Sequence, residues 1–221
     1  MAHPDTVRSQ GPEPAPETSG RTIRWARFYD AVSWLVSFGK APAIRTTTVE
    51  LAEVAPGEKV LDVGCGTGSL AIAVKAKAGP AGDVHGIDAA PEMIGVARRK
   101  AARKKVDVRF QVGLIEDIPF PDDQFDLALN SFVLHHLPDD LKRTGFSQIR
   151  RVLKPGGRFL AVDLASTGDG IIGHLFSLFG HKVAPDYVGN LMAMIKDAGF
   201  SEVEALETKY RQLAFIRARA K

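Results

Sequence analysis

The sequence predicts an α/β protein: a doubly wound, mostly parallel sheet of seven strands, closed by a C-terminal antiparallel hairpin and entered through N-terminal helices. Three observations carry this. From residue 59 onward short apolar runs alternate with helical periodicities, the pattern of parallel strands joined by crossover helices. The first of these runs breaks directly into Gly64-Cys65-Gly66-Thr67-Gly68 and then into a helix pattern, a strand-to-helix turn. Two β-rich runs at the end, 202–207 and 212–218, stand close enough in sequence to pair antiparallel.

Taken in order, residues 1–20 place Pro4, Pro12, Pro14 and Pro16 among polar residues, too little apolar content to offset ordering, and are expected to form a disordered leader. Ile23, Trp25, Phe28, Val32, Leu35 and Val36 recur at three- and four-residue steps, predicting an amphipathic helix over 22–38. A second helix over 43–54 is stopped by Pro56-Gly57. Strands follow at 59–63, 83–87, 107–112, 125–130 and 157–164. Between them lie helices at 69–77, 91–104 and 140–153, the second opening on Pro91, where proline is tolerated in a first helical turn. A last helix, 186–198, ends at Gly199 ahead of the hairpin.

The chain has 221 residues, 45% hydrophobic and 25% charged, the range of a single globular domain, expected over 21–221. The net charge of +3 gathers in two basic runs, 98–105 and 211–221; the first reads most simply as the solvated face and C-terminal end of a helix. The single cysteine, Cys65, excludes an internal disulfide, no Cys/His spacing suggests a metal site, and a reducing, cytoplasmic setting is expected. No apolar run reaches the ~18 residues of a membrane span. The runs 34–38 and 171–179 are greasy enough to touch a membrane surface or an apolar substrate.

Glycines at 64, 66 and 68 let the main chain take positive φ and lie bare against a ligand, and the helix that follows offers its first amides to an anion. Asp88 ends the next strand, where a carboxylate can accept both hydroxyls of a ribose. Together they imply an adenosine-type ligand, a dinucleotide or S-adenosylmethionine. A dinucleotide turn reads G-x-G-x-x-G, and Ser69 stands where its third glycine would be. Asp62 adds a negative charge that repels a pyrophosphate and attracts the amino and sulfonium end of S-adenosylmethionine. Charge therefore favours the methyl donor.

With these residues placed, the chain resembles the class I methyltransferases, within them the small-molecule branch of quinone and lipid methyltransferases of the ubiquinone/menaquinone type. The resemblance spans about residues 25–168. Val60-Leu61-Asp62-Val63-Gly64-Cys65-Gly66-Thr67-Gly68 is similar to that family's first motif. Gly86-Ile87-Asp88 followed by Pro91-Glu92-Met93-Ile94 resembles its ribose-binding strand end and next helix. Glu116-Asp117-Ile118-Pro119-Phe120-Pro121-Asp122 followed by Phe125-Asp126 resembles the segment around the adenine, and Leu153-Lys154-Pro155-Gly156-Gly157 the turn into the fifth strand.

The resemblance implies a Rossmann-like fold with S-adenosyl-L-methionine as cofactor and S-adenosyl-L-homocysteine as its product. It implies cofactor contacts at Asp62, Gly64, Cys65, Gly66, Gly68, Asp88, Ala89, Met93, Ile115, Glu116, Asn130 and Ser131. One position departs. Two residues before Glu116 the family usually has an acidic or amide side chain facing the adenine amino group; here it is Leu114, which cannot accept a hydrogen bond. Either the adenine rests on main chain near Ile115 and on Glu116, or affinity for the cofactor is reduced.

Methyl transfer from a sulfonium is an in-line displacement with an activated leaving group, so positioning and exclusion of water supply much of the rate. For a phenol or acidic ring carbon a general base helps; His135, His136 and Tyr29 are the candidates. Tyr29 matches the family's lid tyrosine, placing a lid over 21–55. Residues 166–185 match the acceptor-covering segment, whose greasiness favours an apolar small-molecule acceptor such as a quinone, phenol or lipid. Packing alone accounts for Tyr29 and for 166–185 equally well, and for His135 and His136 packing and loop capping is the favoured reading.

Three rivals remain. A nicotinamide-dependent oxidoreductase predicts a hydride-transfer set such as Tyr-x-x-x-Lys, but Tyr29, Tyr187 and Tyr210 lack lysine four residues on. A nucleic-acid methyltransferase predicts Asn/Asp-Pro-Pro-aromatic after the fourth strand and a basic appendage, where the chain reads Asn130-Ser131-Phe132-Val133, so no nucleic-acid partner is expected. A catalytically idle binding module is kept open by Leu114.

Overall fold

The computed structural model describes residues 39–165 and 186–221. The predicted helix over 22–38, Tyr29, the leader and the segment 166–185 lie outside these residues. The chain enters through α1 (Ala41–Leu51). It continues as β1 (Lys59–Val63), α2 (Ser69–Ala78), β2 (Asp83–Asp88), α3 (Pro91–Lys104), β3 (Arg109–Val112) and β4 (Phe125–Ser131). A 3-10 turn (Leu134–His136) leads to α4 (Asp139–Val152), β5 (Leu153–Leu164), α5 (Tyr187–Asp197), β6 (Phe200–Leu206) and β7 (Leu213–Ala220).

The seven strands form one sheet in the order β3-β2-β1-β4-β5-β7-β6. Pairs from β3 to β5 are parallel, and β7 runs antiparallel to both β5 and β6. Strand alternation feeds two cores. Leu61, Val63, Ala128, Phe159 and Ala161 face Phe146, Ile149, Leu191 and Ile195 of α4 and α5. Val60, Leu127, Leu129, Leu160 and Val162 face Leu70, Val74, Ile94 and Ala97 of α2 and α3. Each fully buried Leu, Ile or Phe contributes ~1.5–3 kcal/mol, so covering both faces is what holds a parallel sheet.

Several boundaries differ from the sequence reading: α1 spans Ala41–Leu51 rather than 43–54, β3 starts at Arg109 rather than at residue 107, β6 starts at Phe200 rather than at 202, and the largest shift is in β5. β5 begins at Leu153 rather than at residue 157, because Leu153 pairs with Phe125 before a register shift between Phe125 and Leu127. Gly156, at φ +76°, carries the chain round that irregularity. The strand order reverses between β1 and β4, which puts a crevice at the carboxyl ends of these neighbours. Among the described residues no helix is long and apolar enough to cross a membrane.

Candidate functional site

The carboxyl ends of β1, β2 and β4 bring the glycine turn, Asp88 and the β4 loop to one edge of the sheet. Gly64, Gly66 and Gly68 all have positive φ (+74°, +52° and +75°). The turn is also close-packed. A Cβ on Gly68 would stand 2.6 Å from the Phe110 ring and 2.9 Å from the Ala97 Cβ, and one on Gly64 would collide with the Val133 side chain. Gly68 caps α2 without a side chain, leaving the first helical amides to other acceptors.

Asp88 fastens this turn. Its Oδ2 accepts from the Gly66 amide at 2.8 Å and its Oδ1 from the Ala90 amide at 2.9 Å. Burial raises its carboxyl above the usual range, against these two amides, which lower it. Asp62, 1% exposed within β1, has no hydrogen-bond partner at either carboxylate oxygen among the described residues. Burial lifts its carboxyl from 3.8 to about 7; the Ala71 amide, near enough to act on the charge but outside hydrogen-bond geometry, pulls the other way, and the Asp88 charge adds to the rise. Asn130, fully buried at the end of β4, donates from Nδ2 to the Val63 carbonyl at 2.8 Å, and its Oδ1 has no partner among the described residues. Buried polar atoms left unpaired cost ~1–3 kcal/mol each. Three of them, on Asp62 and Asn130 at the same edge of the sheet, suit a polar, partly cationic ligand.

The remaining predicted contacts differ in burial and surroundings. Ser131 continues the same edge, half-buried, and Ala89 follows Asp88 directly. Met93 is buried in the first turn of α3 with Ala90, a small apolar patch beside Asp88. Leu114 and Glu116 are half-buried, whereas Ile115 is buried with its side chain against the bare Cα of Gly145. The Cys65 side chain also turns inward, its sulfur 3.0 Å from where a Cβ on Gly86 would be. Cys65 and Ile115 therefore offer a ligand main chain only. Lys100, read as part of a solvated basic face, crosses to the start of α2 and donates to Thr67 Oγ1 and Ser69 Oγ, both at 2.8 Å.

His135 sits in the 3-10 turn, its side chain 9% exposed. Its Nδ1 lies 2.5 Å from Asp163 Oδ1, and its amide donates to Asp163 Oδ2 at 3.0 Å. Asp163, near the end of β5 and 1% exposed, also accepts from the Leu164 amide at 2.7 Å and from the Tyr187 hydroxyl at 3.5 Å. The His136 ring lies against that of His135, centroids 3.9 Å apart. Sequence reading missed Asp163 and Tyr187. The only signal was an acid inside the apolar run Phe159-Leu160-Ala161-Val162-Asp163-Leu164, the same oddity that marks Asp62 in β1. Among the described residues no cluster of three His, Cys, Asp or Glu is placed to hold a metal ion.

Comparison with known proteins bears on the family and the fold. The sequence profile described as a methyltransferase domain matches residues 60–157. A demethylmenaquinone methyltransferase of Thermus thermophilus is 34% identical over 165 residues, covering 75% of this chain and 73% of its own. A ubiquinone/menaquinone biosynthesis C-methyltransferase of Geotalea daltonii is 32% identical over 167 residues, covering 75% and 70%. Among solved structures, a SAM-dependent methyltransferase from Aquifex aeolicus superposes with a TM-score of 0.66 at 21% identity, covering 80% of this chain and 89% of that one. At that identity the likeness is one of fold.

Proposed function

The chain belongs to the class I S-adenosylmethionine-dependent methyltransferases, in the small-molecule branch of the ubiquinone/menaquinone type, and from that premise we propose that its acceptor is a reduced quinone with an apolar body, methylated on a ring carbon. The enzyme transfers a methyl group from S-adenosylmethionine to a small-molecule acceptor. Two relatives named as quinone methyltransferases, one of them a C-methyltransferase, support the narrower reading. So does the apolar composition of residues 166–185.

The observation that carries the donor assignment is the buried, unpartnered Asp62 carboxylate beside the glycine turn. It would repel a dinucleotide's pyrophosphate and complement a cationic amino group or sulfonium. When bound, the cofactor supplies an electrophilic methyl group. The chain's own residues hold and orient: Asp88 would take the ribose hydroxyls, the α2 amides the methionine carboxylate, Asn130 and Ser131 the methionine end, and Met93 one apolar wall. Glu116 and main chain at Ile115 would flank the adenine.

The test is incubation of the purified protein with methyl-labelled S-adenosylmethionine and a naphthohydroquinone, with mass and NMR analysis of the product. Label on a ring carbon is the expected result. Label on oxygen only, or transfer to phenols and lipids but to no hydroquinone, would refute the acceptor assignment. Leu114→Asn supplies the acceptor this chain lacks at the adenine. It is expected to tighten cofactor binding by about fivefold, the equivalent of one neutral hydrogen bond of ~1 kcal/mol, measured by calorimetry; unchanged affinity would place the adenine elsewhere.

A further inference from the structure

Four donors converge on one buried carboxylate: the His135 amide and Nδ1, the Leu164 amide and the Tyr187 hydroxyl all meet Asp163. An ionised carboxylate is an acceptor only, and so is the species this arrangement suits. Burial, with the Asp163 charge next, pushes the Tyr187 hydroxyl far up, so it stays a proton donor to Asp163. A hydrogen bond at Nδ1 of an imidazole fixes which ring nitrogen carries the proton. With Nδ1–H held toward Asp163, the basic nitrogen of His135 is Nε2.

The position of this pair matters as much as its chemistry. The loop that carries His135 leaves β4 after Ser131, next to Asn130, whose side chain donates to the Val63 carbonyl, and it presses Val133 onto Gly64 of the glycine turn. The imidazole therefore stands on the loop that packs against the cofactor turn. Among the described residues, the groups around it include Asp163 from β5, Tyr187 from α5 and His136 from its own turn. Lys142 of α4 lies over the Tyr187 ring at 5.1 Å and pairs with Asp139 at 2.8 Å.

We infer that Asp163 is a positioning residue that locks His135 as the Nδ1–H tautomer, and that Nε2 of His135 takes the hydroxyl proton of the acceptor. The inference rests on the methyltransferase reading above and deepens it: the acceptor must carry an acidic hydroxyl, as a hydroquinone or phenol does. The O–H pair of electrons stays on oxygen and is shared with the ring. The new bond to the methyl group forms as the carbon–sulfur bond of the donor breaks, its pair remaining on sulfur. Loss of the ring-carbon proton to water restores the aromatic ring, and His135 returns its proton to the ring oxygen, so the product is again a neutral hydroxyl. One proton is released per methyl transferred.

The experiment has two readouts. Nitrogen-15 NMR of the labelled, cofactor-free chain, with His135 assigned through His135→Gln, is expected to show Nδ1 protonated and Nε2 without a proton in the wild type. In Asp163→Asn, whose amide can donate to Nδ1, the proton should move to Nε2. Turnover of a naphthohydroquinone by Asp163→Asn should fall by ~10²-fold or more, the usual worth of a positioned base. Its affinity for S-adenosylmethionine should stay within about threefold of wild type, the split expected of a group that acts on the chemical step alone. The acid limb of the wild-type pH–rate profile should disappear from what rate remains.

A wild-type His135 protonated at Nε2, or an Asp163→Asn enzyme with undiminished kcat, would overturn the inference. If Asp163→Asn does not fold, His135→Gln decides: the same loss of kcat supports the base, and retained kcat removes it. Failure of the methyltransferase reading looks different. It would appear as a wild-type protein that binds no S-adenosylmethionine, whatever the tautomer of His135.

Discussion

Replacing Asp88 by alanine is expected to lower affinity for S-adenosylmethionine by about 100-fold or more, the equivalent of two charge-assisted hydrogen bonds to a ribose. The side chain does two things at once. Its oxygens hold the Gly66 and Ala90 amides at 2.8 and 2.9 Å, so they fix the glycine turn before any ligand arrives. Removing them leaves two amides without an acceptor and costs on the order of 2–3 kcal/mol of stability. Asp88→Asn should not rescue binding, because its amide group would present N–H to one of two donors that both need an oxygen. Calorimetry reads the affinity and thermal melting the stability. Wild-type affinity in Asp88→Ala would mean that the ribose lies elsewhere.

Asp62→Asn should separate binding from stability in opposite directions. The Asp62 carboxyl is lifted to about 7 in the fold, against 3.8 without it. The unfolded chain therefore loses this proton first. Its contribution to stability is fully present below pH ~4, falls as the pH rises, and is at its minimum above about pH 7. At ~1.4 kcal/mol per pH unit the difference is on the order of 4 kcal/mol. Asparagine removes that charge but leaves an unpaired buried amide worth ~1–3 kcal/mol, so a net gain of roughly 1–3 kcal/mol is expected for the ligand-free protein at pH 8. Asp88, also raised by burial, leaves a residual slope with the same sign.

Cofactor affinity should move the other way, down by about tenfold or more in Asp62→Asn, since a cationic group loses its counter-charge. In the wild type affinity should increase as the pH rises through about 7, and binding below that pH should release a proton, visible as a buffer-dependent heat. A flat pH profile for wild-type binding would refute the pairing of Asp62 with a cation. Equal stability of wild type and variant at pH 8 would refute the burial cost.

Much of this was legible in the chain because it is local. Lys59–Val63 and Pro91–Lys104 have the limits that their apolar run and their Pro91 start predict. The glycine turn and Asp88 follow from a spacing of a few residues within one strand-turn-helix-strand unit. What escaped is non-local. Asp163 meets His135 across 28 residues of sequence, and Lys100 meets Thr67 across 33. Neither pair leaves a periodic trace, and a lysine in a basic helical run looks solvated until the packing of α3 on α2 is known. The start of β5 was hidden by Lys154-Pro155-Gly156-Gly157, which reads as a turn although Leu153 already pairs with Phe125. Asp62 was visible as an acid beside the turn, but only its burial shows that it lacks a partner.

The inward turn of Cys65 bears on self-protection. A sulfonium methyl group is an alkylating agent, and a thiolate is among the best nucleophiles a protein carries. Cys65 lies in the very turn that would receive the donor, yet its sulfur faces Gly86 and the Phe110 ring rather than the ligand edge. Burial first, then the charges of Asp62 and Asp88, push its thiol well above the ordinary range and keep it protonated. The same two carboxylates that would attract the donor thus passivate the chain's one thiol, which sits in the turn that would receive it.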